Sequence, residues 1–493
     1  MQVCPDLGQF VSLRRLLPEA EIPGAGDVAI SGCACDSREV REGQLFAALK
    51  GSQHDGHDFI AEAVSRGCAA VLSDRPPTAP AVPWCTVPDA RAAYARLCQT
   101  LAGNPSRQLK LIGVTGTNGK TTTSCLIAGI LTAAGYRAGV MGTLGYLDGR
   151  IVEPASHTTP PPERLAKLLA RMVANECTHA VMEVSSHALD QSRVAGATFD
   201  AACVTNVTRD HLDYHANLRA YRSAKGKLFD HLAEEGFAVL NADDPGSAAY
   251  LRRLDCPALT VAIHHEAEIT ATPVEQVRSE QTFLLTAGSE TVPVCTQMIG
   301  THHIYNCLTA AAVGLAYGIE LTTVVRGLES VGHVPGRLER IECGQPFGVF
   351  VDYAHTPDAL TGMLRTLGQV SAGRVICVFG AGGQRDKKKR PSMGRAVEQG
   401  AQVAILTNDN PRHEDPLAIF HDVLEGFHNP AVVEVIPDRV DAIHRALALA
   451  SPGDCVVIAG KGHESYQIVG DERVPLDDRE VARQWLYEAG ARD

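Results

Sequence analysis

The run Val114-Thr115-Gly116-Thr117-Asn118-Gly119-Lys120-Thr121 sets two glycines, a lysine and a hydroxyl side chain at the spacing that cradles phosphate. The glycines let backbone N–H groups turn toward an anion. A helix beginning at Lys120 would add its unpaired N–H groups and the positive end of its dipole. Lys120 can reach the β- and γ-phosphates of a nucleoside triphosphate, and the Thr121 hydroxyl, followed by Thr122, can ligate Mg²⁺. The run departs from the general template at Val114, where a glycine is usual five positions before Gly119.

Three further groups could serve the same chemistry. Glu183 closes an apolar stretch in Met182-Glu183-Val184-Ser185-Ser186-His187. At the C-terminal end of a parallel strand its carboxylate would face a ligand crevice and suit Mg²⁺. The segment Thr208-Arg209-Asp210-His211-Leu212-Asp213-Tyr214-His215 gathers acidic and imidazole groups that could hold metal, orient phosphate or simply stabilise a loop. Lys225, on a polar helical stretch, reads by itself as a surface lysine.

The elements that must position these groups follow from periodicity. Residues 109–114 form a short apolar run, read as a buried parallel strand, and 119–134 a helix. Strands are expected at 138–142, 179–184, 201–206 and 237–241, with helices between most of them, which implies a parallel sheet covered on both faces. After the breakers at 332–337 the alternation restarts. Strands are expected at 349–352, 375–380, 403–407 and 456–459, and helices at 358–367, 416–426, 438–450 and 478–489. Residues 74–88 carry five prolines and read as loop, and 58–66 as a helix. The expected architecture is α/β with three domains. They are a mixed α/β N-terminal module (1–104), a central P-loop domain with a mostly parallel sheet (105–336), and a Rossmann-like doubly wound C-terminal domain (337–493). A length of 493 residues fits about three cores.

Composition narrows the class. Hydrophobic residues make up 45% and charged residues 21%, as in soluble globular chains, and no stretch is long and apolar enough to span a bilayer. The start lacks the pattern of a signal peptide. Fifteen cysteines without a C-x-x-C pair read as reduced thiols, which points to the cytoplasm. A net charge of −12 argues against nucleic acid as a partner; Lys387-Lys388-Lys389-Arg390 is the one basic cluster and reads as a solvated turn before a helix.

Taken together, the phosphate loop, Glu183–His187, Arg209–His215, Gly336-Arg337-Leu338-Glu339 and Asp352-Tyr353-Ala354-His355-Thr356-Pro357 strongly resemble the Mur ligases, the ATP-dependent amino-acid-adding enzymes of peptidoglycan precursor synthesis. The resemblance runs in order from about Asp36 to Glu464. Within the family, Asp409-Asn410-Pro411-Arg412 looks like the tetrapeptide of members that add meso-diaminopimelate to UDP-N-acetylmuramoyl-L-alanyl-D-glutamate.

The resemblance implies a cytoplasmic, monomeric, ADP-forming amide ligase that uses ATP and two Mg²⁺ ions and works through an acyl phosphate. It implies that Lys120, Glu183, His211 and Lys225 are catalytic. Thr121, Glu183, His211 and Lys225 would hold metal, Lys225 as a carbamate (N6-carboxylysine). Thr115 to Thr122, Asn306, Arg337 and Asp352 would bind ATP. Cys35, Ser37, Ser52, Gln53, His54, His157, Thr158, Thr159, Ser185, Gln191 and Arg193 match contacts to the UDP-sugar peptide, His157 standing where some relatives have Asn. Arg385, Asp409, Asn410, Pro411, Arg412, Gly460 and Glu464 match the diaminopimelate pocket. There an arginine could grip the carboxylate that lysine lacks, and Glu464 the distal ammonium.

The nearest rivals are a ligase that adds L-lysine and the folylpolyglutamate synthases, which share the central ATPase and lack the N-terminal module. A P-loop switch or kinase would have no use for the second α/β domain. A nucleotide-binding scaffold would tolerate loss of Glu183, His211 and Lys225.

Overall fold

The computed structural model describes residues 11–18, 20–22, 27–51, 54–77 and 81–490. Ser52 and Gln53 of the expected uridine contacts therefore lie outside the described residues. The chain divides into two compact units, one of residues 1–115, 135–203 and 224–238, the other of residues 116–134, 204–223 and 239–493.

In the first unit a four-stranded parallel sheet runs in the order Gly32–Ala34, Gln44–Ala47, Ala70–Ser73, Trp84–Thr86. The last strand falls inside the proline-rich stretch expected to be loop. Its Cys85 is buried against Leu45, Leu72 and the helix Ala90–Leu101, so tertiary packing overrides the local breakers. The same unit carries the phosphate-loop strand, Lys110–Thr115. Its neighbour His179–Glu183 pairs parallel with it and, on the other edge, with Ala138–Gly142. Leu111, Ala180, Met182, Leu165, Leu169 and Met172 form the core beneath, the last three from the helix Pro162–Ala174.

In the second unit the helix Lys120–Ala133 packs on Thr301–Ala316 and Leu321–Glu329. Residues 258–296 hold strands that were not expected. Ile269–Gln276, Gln281–Ala287 and Glu290–Thr296 form an antiparallel meander. Phe283 and Leu285 are buried there while Leu284 is exposed, the period of two that one solvated sheet face requires. The C-terminal sheet runs Glu339–Arg340, Gly348–Asp352, Cys455–Ala459, Val375–Phe379, Val403–Leu406, Glu434–Val435. All its pairings are parallel except the first. Separate hydrophobic clusters cover its two faces, as expected of a doubly wound domain.

Two readings of charge are corrected. Lys225 is 1% exposed, not a surface lysine, because Tyr221, Ala224 and Leu228 are buried on the same helical face. The basic run 387–390 is not wholly solvated either. Lys389 is buried, and so is Arg390, whose guanidinium is clamped by Glu414 and Asp422 at 2.8 Å. Among the described residues no cysteine is in a disulfide.

Candidate active site

The phosphate loop is held by the segment after the strand Phe199–Val204. Thr117 N–H donates to the Asn206 carbonyl (3.0 Å) and Asn118 N–H to Asn206 Oδ1 (2.9 Å). Thr205 Oγ1 and Asn206 Nδ2 donate to the Asn118 carbonyl at 2.6 and 3.1 Å. Gly119 precedes the helix at φ +86°, and a Cβ there would stand 2.3 Å from Asn306 Oδ1, so the position admits only glycine. Asn306 in turn accepts from Thr123 Oγ1 at 3.3 Å, which fixes it over the loop. Lys120 Nζ donates to the carbonyls of Gly116 and Thr117 (2.8 and 2.9 Å), folded along the loop it would leave to meet phosphate. Arg337 Nη2 donates to Thr121 Oγ1 at 3.1 Å, and its guanidinium lies over the Tyr353 ring at 4.4 Å. Asp352 anchors this corner by accepting Leu338 N–H (2.6 Å) and Ala354 N–H (2.7 Å). Burial pushes its carboxyl above the ordinary carboxylate range, against the pull of Arg337.

In the first unit, Glu183 ends its parallel strand 2% exposed. Its Oε1 accepts Thr143 N–H at 2.8 Å and Oε2 accepts Thr143 Oγ1 at 3.1 Å. Thr143 Oγ1 lies 3.1 Å from Thr158 Oγ1, and Thr159 Oγ1 donates to the Glu183 carbonyl at 2.8 Å. Ser185 N–H donates to Thr159 Oγ1 at 3.0 Å. Arg193 donates from Nη1 to the Thr159 carbonyl (3.0 Å) and from Nη2 to Gln191 Oε1 (2.8 Å). Thr158, Thr159, Ser185, Gln191 and Arg193 thus share one hydrogen-bonded cluster around Glu183. His157 N–H donates to the Tyr146 hydroxyl beside it. Ser37 donates to Glu62 Oε2 at 2.7 Å, Cys35 is exposed, and His54 packs edge-on to Phe59, all on the N-terminal sheet's loops.

The expected amino-acid pocket is assembled in the second unit. Arg385, Asp409, Asn410, Arg412, Gly460 and Glu464 line one cavity, joined by Asp210, His211, Tyr353, His355 and Lys389. Pro411 is not among the lining residues; it is buried and shapes the turn behind them. Arg412 sits at φ +54°, its N–H donating to the Ile468 carbonyl (3.1 Å), which pins the turn to the hairpin Tyr466–Val469 and Glu472–Pro475. Its Nη1 donates to the Gly383 carbonyl at 2.8 Å. No carboxylate among the described residues pairs with Arg412 or Arg385 within ion-pair distance. Burial, and then Arg385, push the Arg412 pKa down, while Asp409 and Glu464 pull it up. Gly460, at φ +115°, leaves room for Asp409, whose Oδ2 would lie 2.6 Å from a Cβ there.

Sequence reading missed several residues here. His355 Nδ1–H donates to the Tyr353 carbonyl at 2.8 Å, which leaves Nε2 as the unprotonated ring nitrogen. Burial and then Lys389 hold its pKa well below the ordinary value. Lys389 Nζ lies 3.9 Å from Asp210 Oδ1. Arg439 and Asp478 form a buried ion pair behind Asp409. The basic run and the Asp-Tyr-Ala-His-Thr-Pro motif were visible signals, but only the fold shows which of their side chains turn inward.

The chain matches the descriptions "Mur ligase family, catalytic domain" over residues 29–101, "Mur ligase middle domain" over 114–314 and "Mur ligase, glutamate ligase domain" over 336–462. It is 43% identical to the UDP-N-acetylmuramoyl-L-alanyl-D-glutamate–2,6-diaminopimelate ligase of Geobacillus thermodenitrificans over 96% of this chain and 98% of that one. It is 42% identical to the enzyme of the same name from Geobacillus kaustophilus over 98% of this chain and all of the other. A solved structure of a ligase of that name superposes with a TM-score of 0.70 at 33% identity, covering 98% of this chain and 100% of that one. Mycobacterium tuberculosis folylpolyglutamate synthase shares the fold over 75% of this chain and 92% of its own, with a TM-score of 0.62 at 21% identity. The chain therefore belongs to the Mur ligase family of ATP-dependent, ADP-forming amide ligases.

Proposed function

We propose that this ligase joins meso-diaminopimelate to UDP-N-acetylmuramoyl-L-alanyl-D-glutamate. The observation that carries the reading is the pair Arg385 and Arg412 in a cavity shared with Asp409 and Glu464. A guanidinium held by a backbone carbonyl and no carboxylate calls for an anionic ligand group. Diaminopimelate supplies a carboxylate at each end; L-lysine supplies one.

The reaction has two steps. The D-glutamyl carboxylate takes the γ-phosphoryl group of ATP and becomes an acyl phosphate. The amine nitrogen then attacks the acyl carbon, a C–N bond forms, and phosphate leaves with the electron pair of the C–O bond. Most of the protein's contribution is positioning and charge neutralisation. Lys120 leaves the loop carbonyls for the phosphates, and Asn306, Arg337 and Asp352 orient the nucleotide. The cluster of Thr158, Thr159, Ser185, Gln191 and Arg193, with His157, holds the sugar-peptide. Cys35, Ser37 and His54, with Ser52 and Gln53, take its uridine end. Asp409 and Glu464 receive the ammonium groups of the incoming amino acid.

The Thr121 hydroxyl and the buried Glu183 carboxylate are hard oxygen donors and fit Mg²⁺. The metal is proposed as two ions: Thr121 and Glu183 would hold one, and Glu183 with His211 would approach the other, Lys225 serving as a carbamate. When bound they supply charge neutralisation for the transferring phosphoryl group. We place the reaction in the cytoplasm and in a monomer; among the described residues no helix is long and apolar enough to cross a membrane.

The test is phosphate release by the purified protein with ATP, Mg²⁺ and the UDP-muramoyl dipeptide, adding meso-diaminopimelate or L-lysine separately. Turnover is expected with the first, and on the order of 10⁴-fold lower kcat/KM with the second, the scale of recognition that leaves a buried polar group unpaired. Equal rates would refute the role of Arg412.

A further inference from the structure

Lys461 does not line the amino-acid cavity, yet it is fully buried directly behind it, at 0% exposure. Its Nζ donates to Asn410 Oδ1 at 3.1 Å and to Glu464 Oε2 at 3.1 Å. Asn410 Nδ2 donates to the same Glu464 oxygen at 3.0 Å, and Ile468 N–H donates to Asn410 Oδ1 at 2.8 Å. The Tyr466 ring lies 5.9 Å from the ammonium. One buried cation thus joins two cavity residues from different loops, one in the turn after Val403–Leu406 and one after Cys455–Ala459.

An ammonium this deep is retained only with compensation, and here it is compensated by a carboxylate and an amide oxygen. The consequence falls on Glu464. Its Oε2 is committed to Lys461 and Asn410, so Oε1 is the oxygen presented to the cavity. Without the lysine, Glu464 would be a carboxylate 21% exposed with only one amide donor, free to change rotamer. Asn410 would keep only Ile468 N–H of the two donors that hold its Oδ1 and so fix which end of its amide faces Glu464.

We infer that Lys461 is a positioning residue for the incoming amino acid: without touching it, Lys461 locks Glu464 and Asn410 into the geometry that receives the ligand's ammonium. This rests on the diaminopimelate reading.

The test is a double-mutant cycle of Lys461→Met and Glu464→Gln, read as KM for meso-diaminopimelate, KM for ATP and kcat, with thermal melting of each variant. Lys461→Met is expected to raise KM for diaminopimelate roughly 10–100-fold, the scale of one charge-assisted hydrogen bond, with KM for ATP unchanged and kcat within about threefold. In the Glu464→Gln background the same substitution should change KM for diaminopimelate less than about threefold, because the group through which it acts is gone. An unaltered KM in Lys461→Met, or a full effect in both backgrounds, overturns the inference. If Lys461→Met does not fold, Lys461→Gln, which keeps a donor, enters the same cycle; failure of both to fold overturns the positioning role in favour of a structural one. Absence of wild-type turnover with diaminopimelate overturns the functional reading itself, and this inference with it.

Discussion

Arg439→Leu should destabilise the C-terminal domain and weaken amino-acid binding together. Arg439 and Asp478 have side chains 1% and 0% exposed. Nε and Nη2 meet the two carboxylate oxygens at 2.8 Å each, a bidentate pair. The remaining donors reach the carbonyls of Ala459 (3.0 Å) and Asn408 (3.2 Å). Those carbonyls immediately precede Gly460 and Asp409, so the guanidinium ties together the two strand ends that carry pocket residues. Solvent does not screen the pair at this depth. Removing the arginine strands the Asp478 carboxylate, a cost of about 3–5 kcal/mol. For a domain of roughly 150 residues that is a fall in Tm of about 6–20 °C, followed by circular dichroism. Asp478→Leu added to Arg439→Leu removes the stranded charge and should recover most of the loss, while KM for the amino acid stays raised because the strand ends remain untied. A fall below about 3 °C, or a double variant no more stable than the single, would refute the reasoning.

Lys225→Ala should lower turnover by on the order of 100-fold or more, the scale of losing a charge-stabilising group at the reaction centre, with partial rescue by a small carboxylic acid. Full activity in that variant would remove the carbamate from the scheme. Gly460→Ala forces a side chain into φ +115° and toward Asp409. It should raise KM for the amino acid about tenfold or more while KM for ATP holds, measured by phosphate release. Lys120→Ala removes donors that rest on the loop's own carbonyls. It should abolish detectable turnover yet shift Tm by only a few degrees, since the loss is two hydrogen bonds of a half-buried side chain, each worth about 1 kcal/mol; a large Tm loss would mean the lysine is structural.

The phosphate loop was legible because strand, turn and helix follow one another within thirty residues, and each signal is local. Glu183 was legible for a related reason, since a carboxylate closing an apolar strand has one plausible destination in a parallel sheet. The meander at 269–296 was not, because Pro273 and Pro293 interrupt strands whose alternation appears only once Phe283 and Leu285 are known to share a face. Lys225 escaped for the opposite reason. Its helix is polar in composition, and burial of its lysine is decided by what packs around Tyr221 and Leu228. The cavity lined by Asp409, Asn410 and Arg412 was reached through the tetrapeptide 409–412, but its depth was not. Lys461, Arg439 and Asp478 are ordinary charged residues in sequence and become visible only when strands about 50 residues apart in the chain flank a third, as Val403–Leu406 and Cys455–Ala459 flank Val375–Phe379.

That depth also explains how a chain of net charge −12 handles anionic substrates. Among the described residues, the cations in and behind its C-terminal cavity include two kinds. Arg390 is clamped by Glu414 and Asp422, Arg439 by Asp478, and Lys461 by Glu464. Each is neutralised within the fold, so each can brace a loop without attracting a ligand. Arg412 differs: its guanidinium is held in place by the carbonyls of Gly383 and Asn410, which orient it and leave its charge uncancelled. Carbonyl groups fix a guanidinium at the cost of donors but not of charge, so the field at the cavity stays positive on this side while Asp409 and Glu464 supply the negative side. A ligand that fills both carries a carboxylate toward Arg412 and an ammonium toward Asp409 and Glu464, as the diaminopimelate reading has it. On the diaminopimelate reading, selectivity against L-lysine then needs no steric barrier, because lysine brings one carboxylate fewer and leaves Arg412 without an anion.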